Sequence, residues 1–351
     1  TNILKNHLEN ENSEKFNVHI ISSKDFLKTK LIKKNFKFYP VDKIVNIPFS
    51  PQRFITALNG MIVLISLLKN LKQNVIVHSM QSNVAAIIAC MIQHKKIVIR
   101  NSENPIYSTI NSENIFFGII ALSLKFLFYN FADGIITNSK GSANSLKYFV
   151  FNKKKINYIY NPYLKKINKK NYKKNNYIIN IGRLRKQKDH KTLLYAFQIF
   201  LKKNKKYKLL ILGHGNLEND LKLLSKKLNI SNKVIFKGWI KNTAPYLRKS
   251  KLFVLSSVYE GLGNVLLDAI NFNVPCISTD CHSGPREILL NGKGGYLVKV
   301  KSPKQLARMI NFAIKNYSNS LKKNVFAKKK LSRFLISKQT KKYFDYLSKF
   351  S

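Results

Sequence analysis

At 351 residues, 45% hydrophobic and 12% aromatic, the chain is long enough for two domains of ordinary size, each with its own core. Its formal charge of +47 comes from 63 Lys and Arg against 16 Asp and Glu, with the lysines spread along the whole chain. That dispersal argues against a nucleic-acid module, which would want a clustered basic face with stacking aromatics, and it predicts attraction to an anionic membrane or to diphosphate substrates. Most of the lysine excess, which accompanies frequent Asn and Ile, reads as codon bias. The three cysteines, Cys90, Cys276 and Cys281, are odd in number and lack metal-like spacing, so a reducing cytoplasm is expected rather than a disulfide framework. No signal peptide is expected from the first residues as they read.

The first residues, "TNILKNHLENENSEKF", read as a helix with Ile3, Leu4 and Leu8 on one face, followed by a strand at 17–22. Because a doubly wound domain normally begins with a central strand, roughly 15–25 residues, a strand and its loop, are expected upstream of Thr1. Strands are predicted at 74–79, 96–101 and 133–139, alternating with helices near 52–72, 83–93, 115–131 and 140–150. The apolar run "NIFFGIIALSLKFLFYNF" (114–131) is interrupted by Lys125 and is too short to span a bilayer. It is expected to be a buried helix on the first sheet, the alternative being an interfacial helix that docks on a membrane. The segment 160–176, "YNPYLKKINKKNYKKNN", has no periodicity and reads as a linker and surface loop. Strands then follow at 177–182, 208–213, 233–238, 251–257 and 275–280, with helices near 189–203, 216–229, 264–272 and 303–317. Short Ile/Leu/Val runs separated by helices mean βαβ units, hence two doubly wound α/β domains facing across a cleft.

Two stretches carry chemistry. "YEGLGNVLLDA" (259–269) follows a strand and opens a helix, with Glu260 before a Gly-x-Gly turn and Asp268 one turn inside the helix. Gly261, Gly263, Asn264 and Val265 therefore offer backbone N–H groups suited to a phosphate. Carboxylates repel phosphates but accept hydrogen bonds from hydroxyls, so Glu260 and Asp268 suggest sugar on one side of a diphosphate and ribose on the other. "IGRLRKQKDH" (181–190) adds Gly182, Arg183 and Lys188 at the carboxyl end of another strand, where a parallel sheet binds ligands. Arg183 supplies a planar fork suited to phosphate in a chain that otherwise prefers lysine.

The run from "IGRLRKQKDHKTLLYAF" through "LLILGHG", "VIFKGWI", "YEGLGNVLLDA" and "HSGPREI" to "GGYLV" resembles the C-terminal half of the retaining glycosyltransferases of the GT-B fold (group 1, family 4 type). These are bacterial hexosyl- and N-acetylhexosaminyltransferases of cell-surface glycans. The first half is similar to that family more weakly, through "RNSENP", "ADGIITNSKGSANSLKYF" and "IYNPY".

The resemblance implies an acceptor domain at 1–162, completed by a C-terminal helix within 333–351, and a donor domain at 163–332. It implies that Arg183 and Lys188 hold the donor diphosphate and Glu260 the sugar hydroxyls. Asp268, where the family usually has Glu, would hold the ribose. The backbone at Leu262 to Val265 would face the phosphates, and the loop after Gly238, with Trp239, the base. Gly182 and Gly213 close the donor set. His78 in "VIVHSMQSN" is the candidate for the family's His near the reacting carbon, and the family's glycine-rich loop would fall in the upstream segment.

No Asp-x-Asp and no metal-ligand spacing occur, so no metal and no cofactor are expected, only a nucleotide-sugar, UDP-linked, as substrate. Arg286 and Glu287 are read as structural, with Glu287 a partner behind the site. The expected enzyme moves a hexose or N-acetylhexosamine to a glycan or lipid-linked acceptor, in the cytoplasm and peripherally at the inner face of the plasma membrane. The alternatives are an inactive truncated fragment, a nucleotide-sugar epimerase on the same scaffold, and a basic nucleic-acid-binding protein.

Overall fold

The structure, a computed structural model, describes residues 2–9, 17–22, 35–41, 52–71, 75–112 and 114–350. The first half runs α1 (Asn2–Leu8), β1 (Val18–Ser22), β2 (Phe36–Pro40), α2 (Gln52–Asn70), β3 (Ile76–Ser79), α3 (Asn83–Ile92) and β4 (Lys96–Asn101). It continues with α4 (Pro105–Ile110), α5 (Ile115–Phe128), β5 (Gly134–Thr137), α6 (Lys140–Leu146) and β6 (Ile156–Tyr158). The second half runs β7 (Asn175–Ile181), α7 (His190–Leu201), β8 (Lys208–Leu212), α8 (Glu218–Lys227), β9 (Val234–Phe236), α9 (Ala244–Lys249) and β10 (Ser250–Leu255). After it come α10 (Val265–Asn271), β11 (Cys276–Thr279), α11 (Pro285–Ile288), β12 (Tyr296–Val298), α12 (Pro303–Lys315), α13 (Tyr317–Lys328) and α14 (Ile336–Leu347).

The second-half sheet has the order β12-β11-β10-β7-β8-β9 with every pairing parallel. Its strands are buried on both faces, and the period of two is visible in the core. Ile178, Leu252 and Val254 face the layer of α7 and α12, whereas Ile179, Phe253 and Leu255 face the layer of α10. Strand order reverses between β7 and β10, so the loops leaving these two strands open away from each other and leave a crevice at their carboxyl ends.

In the first half β3-β4-β5-β6 form a parallel sheet, and β1 and β2 pair with each other in a separate parallel sheet. Ile97, Ile99 and Ile135 pack with α3 on one face. On the other face Val98, Ile136 and Ile159 pack against Tyr343 of α14, so this helix covers the first sheet. Leu8 of α1 is buried with Ile20, while the side chains of Ile3 and Leu4 lie outside the described residues, as does Asn74 at the head of one expected strand.

Two expectations need correction. The head of the expected surface loop is buried: Tyr160, Asn161 and Leu164 are each under a tenth exposed, because they fill the seam between the halves, and only the lysine-rich remainder is solvated. Helix α5 has no buried residue and leaves Phe116 65% and Leu127 57% exposed, so it is not the buried helix expected from its composition. Apolar content predicts burial only statistically, and here Leu122 and Phe128 alone reach the core. The strands β2, β6 and β12 and the helices α4, α9 and α13 were not expected, being short or, for α13, weakly amphipathic.

Tyr343 is 3% exposed within the core that α14 completes. Tyr343→Ala should lower the unfolding free energy by about 3–5 kcal/mol, the usual range for an aromatic truncated in a core. Urea denaturation measures this, and an unchanged midpoint would mean that α14 is dispensable to the first sheet.

Candidate active site at the sheet switch point

The candidate residues of the second half gather at the carboxyl ends of β7, β8, β9 and β10. Gly182, Gly213 and Gly238 end three adjacent strands and are laced together, Gly182 N donating to Leu212 O and Gly213 N to Gly238 O. The loops after β7 and β10 meet across the switch point. Glu260 is 6% exposed, and its Oε1 lies 2.5 Å from Lys188 Nζ and 2.6 Å from Ser257 Oγ. Ser256 Oγ donates to Lys188 O, Val258 N to Gln187 O, and Gln187 Nε2 to Tyr259 O. Two loops far apart in sequence thus hold one buried carboxylate and one cation in place. Arg183 stands exposed on the same β7 rim, and Trp239 is 67% exposed on the β9 rim.

Asp268 occupies a separate place in the same crevice. With Tyr163, Ile181, Lys241, Asn242 and Val265 it lines a cavity of about 380 Å³. Tyr163 Oη donates to Asp268 Oδ2 at 2.5 Å. Burial raises the Asp268 carboxyl to about 6, against a partly opposing effect of that hydrogen bond. In the turn before it Leu262 and Gly263 are buried and Asn264 and Val265 half-buried, and α10 begins at Val265 and runs only seven residues.

His78 lies apart from the other candidate residues in sequence and sheet, on β3 of the first half. Its Nδ1 lies 2.9 Å from Val98 O and its Nε2 2.5 Å from Tyr343 Oη. A carbonyl only accepts, so Nδ1 carries the proton and Nε2 accepts from the tyrosine. Burial and the Arg100 guanidinium lower His78 to about 4, which keeps the ring neutral. Arg100 donates to Asn161 Oδ1, and Asn161 Nδ2 donates to Asn264 Oδ1 at 3.0 Å, so the first half reaches the Gly263–Asn264 turn through a chain of amides.

Sequence reasoning missed how tightly the halves meet. A Cβ on Gly261 would lie 2.0 Å from Ser102 O, and a Cβ on Gly141 would lie 2.6 Å from His282 O. Each glycine allows one half's backbone to touch the other's. Tyr107 stacks on His282 at 3.9 Å. Glu287 accepts from Lys140 N at 3.0 Å and from Gly141 N at 2.9 Å, capping α6 from across the seam, and also accepts from Tyr160 Oη at 3.1 Å. "NSKG" read as an N-cap followed by a glycine was the available signal for that contact.

With this geometry in place the chain can be compared with known proteins. Residues 164–330 match the family described as Glycosyl transferases group 1. They form a glycosyl transferases group 1 domain. An uncharacterized glycosyltransferase of Methanocaldococcus jannaschii is 36% identical over 235 residues, covering 61% of this chain and 57% of that protein. The N-acetylgalactosamine-N,N'-diacetylbacillosaminyl-diphospho-undecaprenol 4-alpha-N-acetylgalactosaminyltransferase of Campylobacter jejuni is 34% identical over 225 residues, covering 62% of this chain and 60% of that one. The chain thus matches less than two thirds of the length of either relative. Anabaena HepE, solved in complex with UDP and glucose, superposes with a TM-score of 0.72 at 17% identity over 93% of this chain and 88% of that one. The likeness shows the fold, GT-B, as the sequence resemblance implies.

Two outcomes follow from the geometry of the group 1 domain. Glu287→Ala strips α6 of charge-assisted caps and should lower the unfolding free energy by about 2 kcal/mol, with Glu287→Gln intermediate. Equal urea midpoints for all three proteins would show that the cap across the seam contributes nothing. For Asp268, the folded value of about 6 stands above the ordinary 3.8, so the folded state holds the proton more tightly than the unfolded chain. Ionisation therefore costs stability as pH rises through that window. Relative to wild type, Asp268→Asn should gain roughly 2 kcal/mol between about pH 4 and about pH 7. Parallel stability curves in denaturation across that range would contradict the shift.

Proposed function

We propose that the chain is a retaining, metal-independent glycosyltransferase. It would move a hexose or N-acetylhexosamine from a UDP-linked sugar to a glycan or lipid-linked acceptor in cell-surface polysaccharide synthesis. The observation that carries this reading is the Lys188–Glu260 pair at the switch point, with Arg183 exposed on the same rim. Support for the donor comes from UDP and glucose in the HepE complex, and support for the acceptor from the diphospho-undecaprenol in the name of the Campylobacter relative. On this reading 1–162 with the helix in 333–351 presents the acceptor, and 163–332 holds the donor.

The chemistry follows from the placement of charge. As the bond from the anomeric carbon to the diphosphate breaks, negative charge grows on the leaving oxygen. Arg183 and Lys188 would stabilise it, electrostatic assistance that needs little reorganisation. Glu260 Oε1 is committed to Lys188 and Ser257, which leaves Oε2 to accept from sugar hydroxyls. The ion pair thereby fixes the sugar relative to the cation that receives the charge. The acceptor hydroxyl attacks from the leaving-group face as the bond to the diphosphate breaks, and its proton passes to the departing diphosphate oxygen, which yields retention. Asp268, ionised above about pH 6, accepts from ribose hydroxyls in the cavity it lines. His78, with both nitrogens engaged, acts by positioning Tyr343 and the wall of the acceptor side. The protein would work on the cytoplasmic face of a membrane, where lipid-linked acceptors are built.

Glu260→Ala and Arg183→Ala should each reduce transfer from a UDP-sugar by roughly 100-fold or more while the circular dichroism spectrum stays unchanged. Full activity in either variant would refute the site. A panel of nucleotide-sugars scored by thermal stabilisation of the intact protein identifies the donor.

A further inference from the structure

Helix α5 is built the wrong way round for a soluble surface. Its only charged side chain, Lys125, is half-buried, and the Glu103 carboxylate opposes the lowering of its pKa by burial. Its outward positions carry large apolar groups instead, among them Phe116 at 65%, Phe117 at 51%, Ile119 at 53% and Leu127 at 57% exposure. Exposed Phe131 and Phe151 extend the patch beyond the end of the helix. Phe151 is tied there: its ring lies 6.2 Å from Phe126, and its N–H donates to Asn130 Oδ1. A contiguous exposed apolar patch of this kind marks an interaction surface.

The residues that follow Phe151 say what covers it. Lys153 and Lys154 are exposed in the turn just after Phe151, and Lys155 Nζ donates to Asn130 O at the end of α5. Aromatic and aliphatic groups with lysines at their margin match a bilayer interface, apolar side inward and cations among anionic headgroups. A second copy fits badly, since two chains of charge +47 would be brought together. With 14 residues, α5 is about 21 Å long. Among the described residues no helix is long and apolar enough to cross a membrane, so the helix lies in the interface and does not span it.

We infer that the outer face of α5, with Phe131, Phe151 and the Lys153–Lys154 turn, is a docking surface for an anionic lipid bilayer. This surface lies on the first half, whereas the Lys188–Glu260 pair belongs to the second, and its lipid binding needs no transfer chemistry. Failure here and failure of the proposed activity are therefore read separately.

The test is co-sedimentation of the full chain with phosphatidylglycerol-containing vesicles and with pure phosphatidylcholine vesicles. Binding is expected to favour the anionic vesicles and to weaken with salt. The triple variant Phe116→Ser, Phe117→Ser, Leu127→Ser should lose binding at least tenfold. Lys153→Glu with Lys154→Glu should remove the preference for anionic lipid. Hydrogen exchange on the wild-type protein keeps the proposal open to refutation if the triple variant misfolds: vesicles should slow exchange across Ile115–Phe128. Undiminished binding by the folded triple variant, protection confined to other segments, or a dimer that the triple variant dissolves would each overturn it.

Discussion

The contact on which the site depends is the half-buried ion pair between Lys188 and Glu260. A buried charge is tolerated when it is paired and hydrogen-bonded, and Glu260 has both the ammonium and the Ser257 hydroxyl. The pair joins loops that the reversal of strand order would otherwise splay apart. The hydrogen bonds from Ser256, Val258 and Gln187 work in the same direction, so the mouth of the crevice is held before any ligand arrives. Removing either partner would leave the other charge uncompensated, so Glu260→Ala acts on the placement of Lys188 as much as on charge.

From that point outward, the structure is organised by polar groups that cross the seam. Arg100, Asn161 and Asn264 run from the first sheet to the turn ahead of α10, and Glu287 reaches back to the amide groups that open α6. Such contacts are directional, unlike apolar packing, so they specify how one half meets the other. Gly261 and Gly141 make the approach sterically feasible. The candidate site is thus a joint property of both halves, although Arg183, Lys188, Glu260 and Asp268 all come from one.

Much of the second half was legible because both faces of its sheet are buried. Runs such as "KLLIL" and "KLFVL" declare themselves as strands, and "YEGLGN" and "IGRLRK" fall at their carboxyl ends as the topology requires. The short β6 and β12 offer too little pattern to be seen. The seam was harder still, since Tyr160, Asn161 and Tyr163 sit in a stretch whose composition is dominated by solvated lysines. The partners that give them meaning lie about a hundred residues away in sequence, with Tyr163 meeting Asp268 and Asn161 meeting Asn264. The outward apolar face of α5 is the reverse case. Its composition was plain, but only the packing tells which side of the helix met the protein.

Tyr343 has a consequence for the order of events in synthesis. The first sheet closes one of its two faces with a side chain from α14, which is made after the whole of the six-stranded sheet. The six-stranded sheet finds its own helices within its own stretch of sequence. The order of emergence is therefore opposed to the order of completion. The half made first waits, with Val98 and Ile136 not yet covered by Tyr343, until α14 has followed the second half.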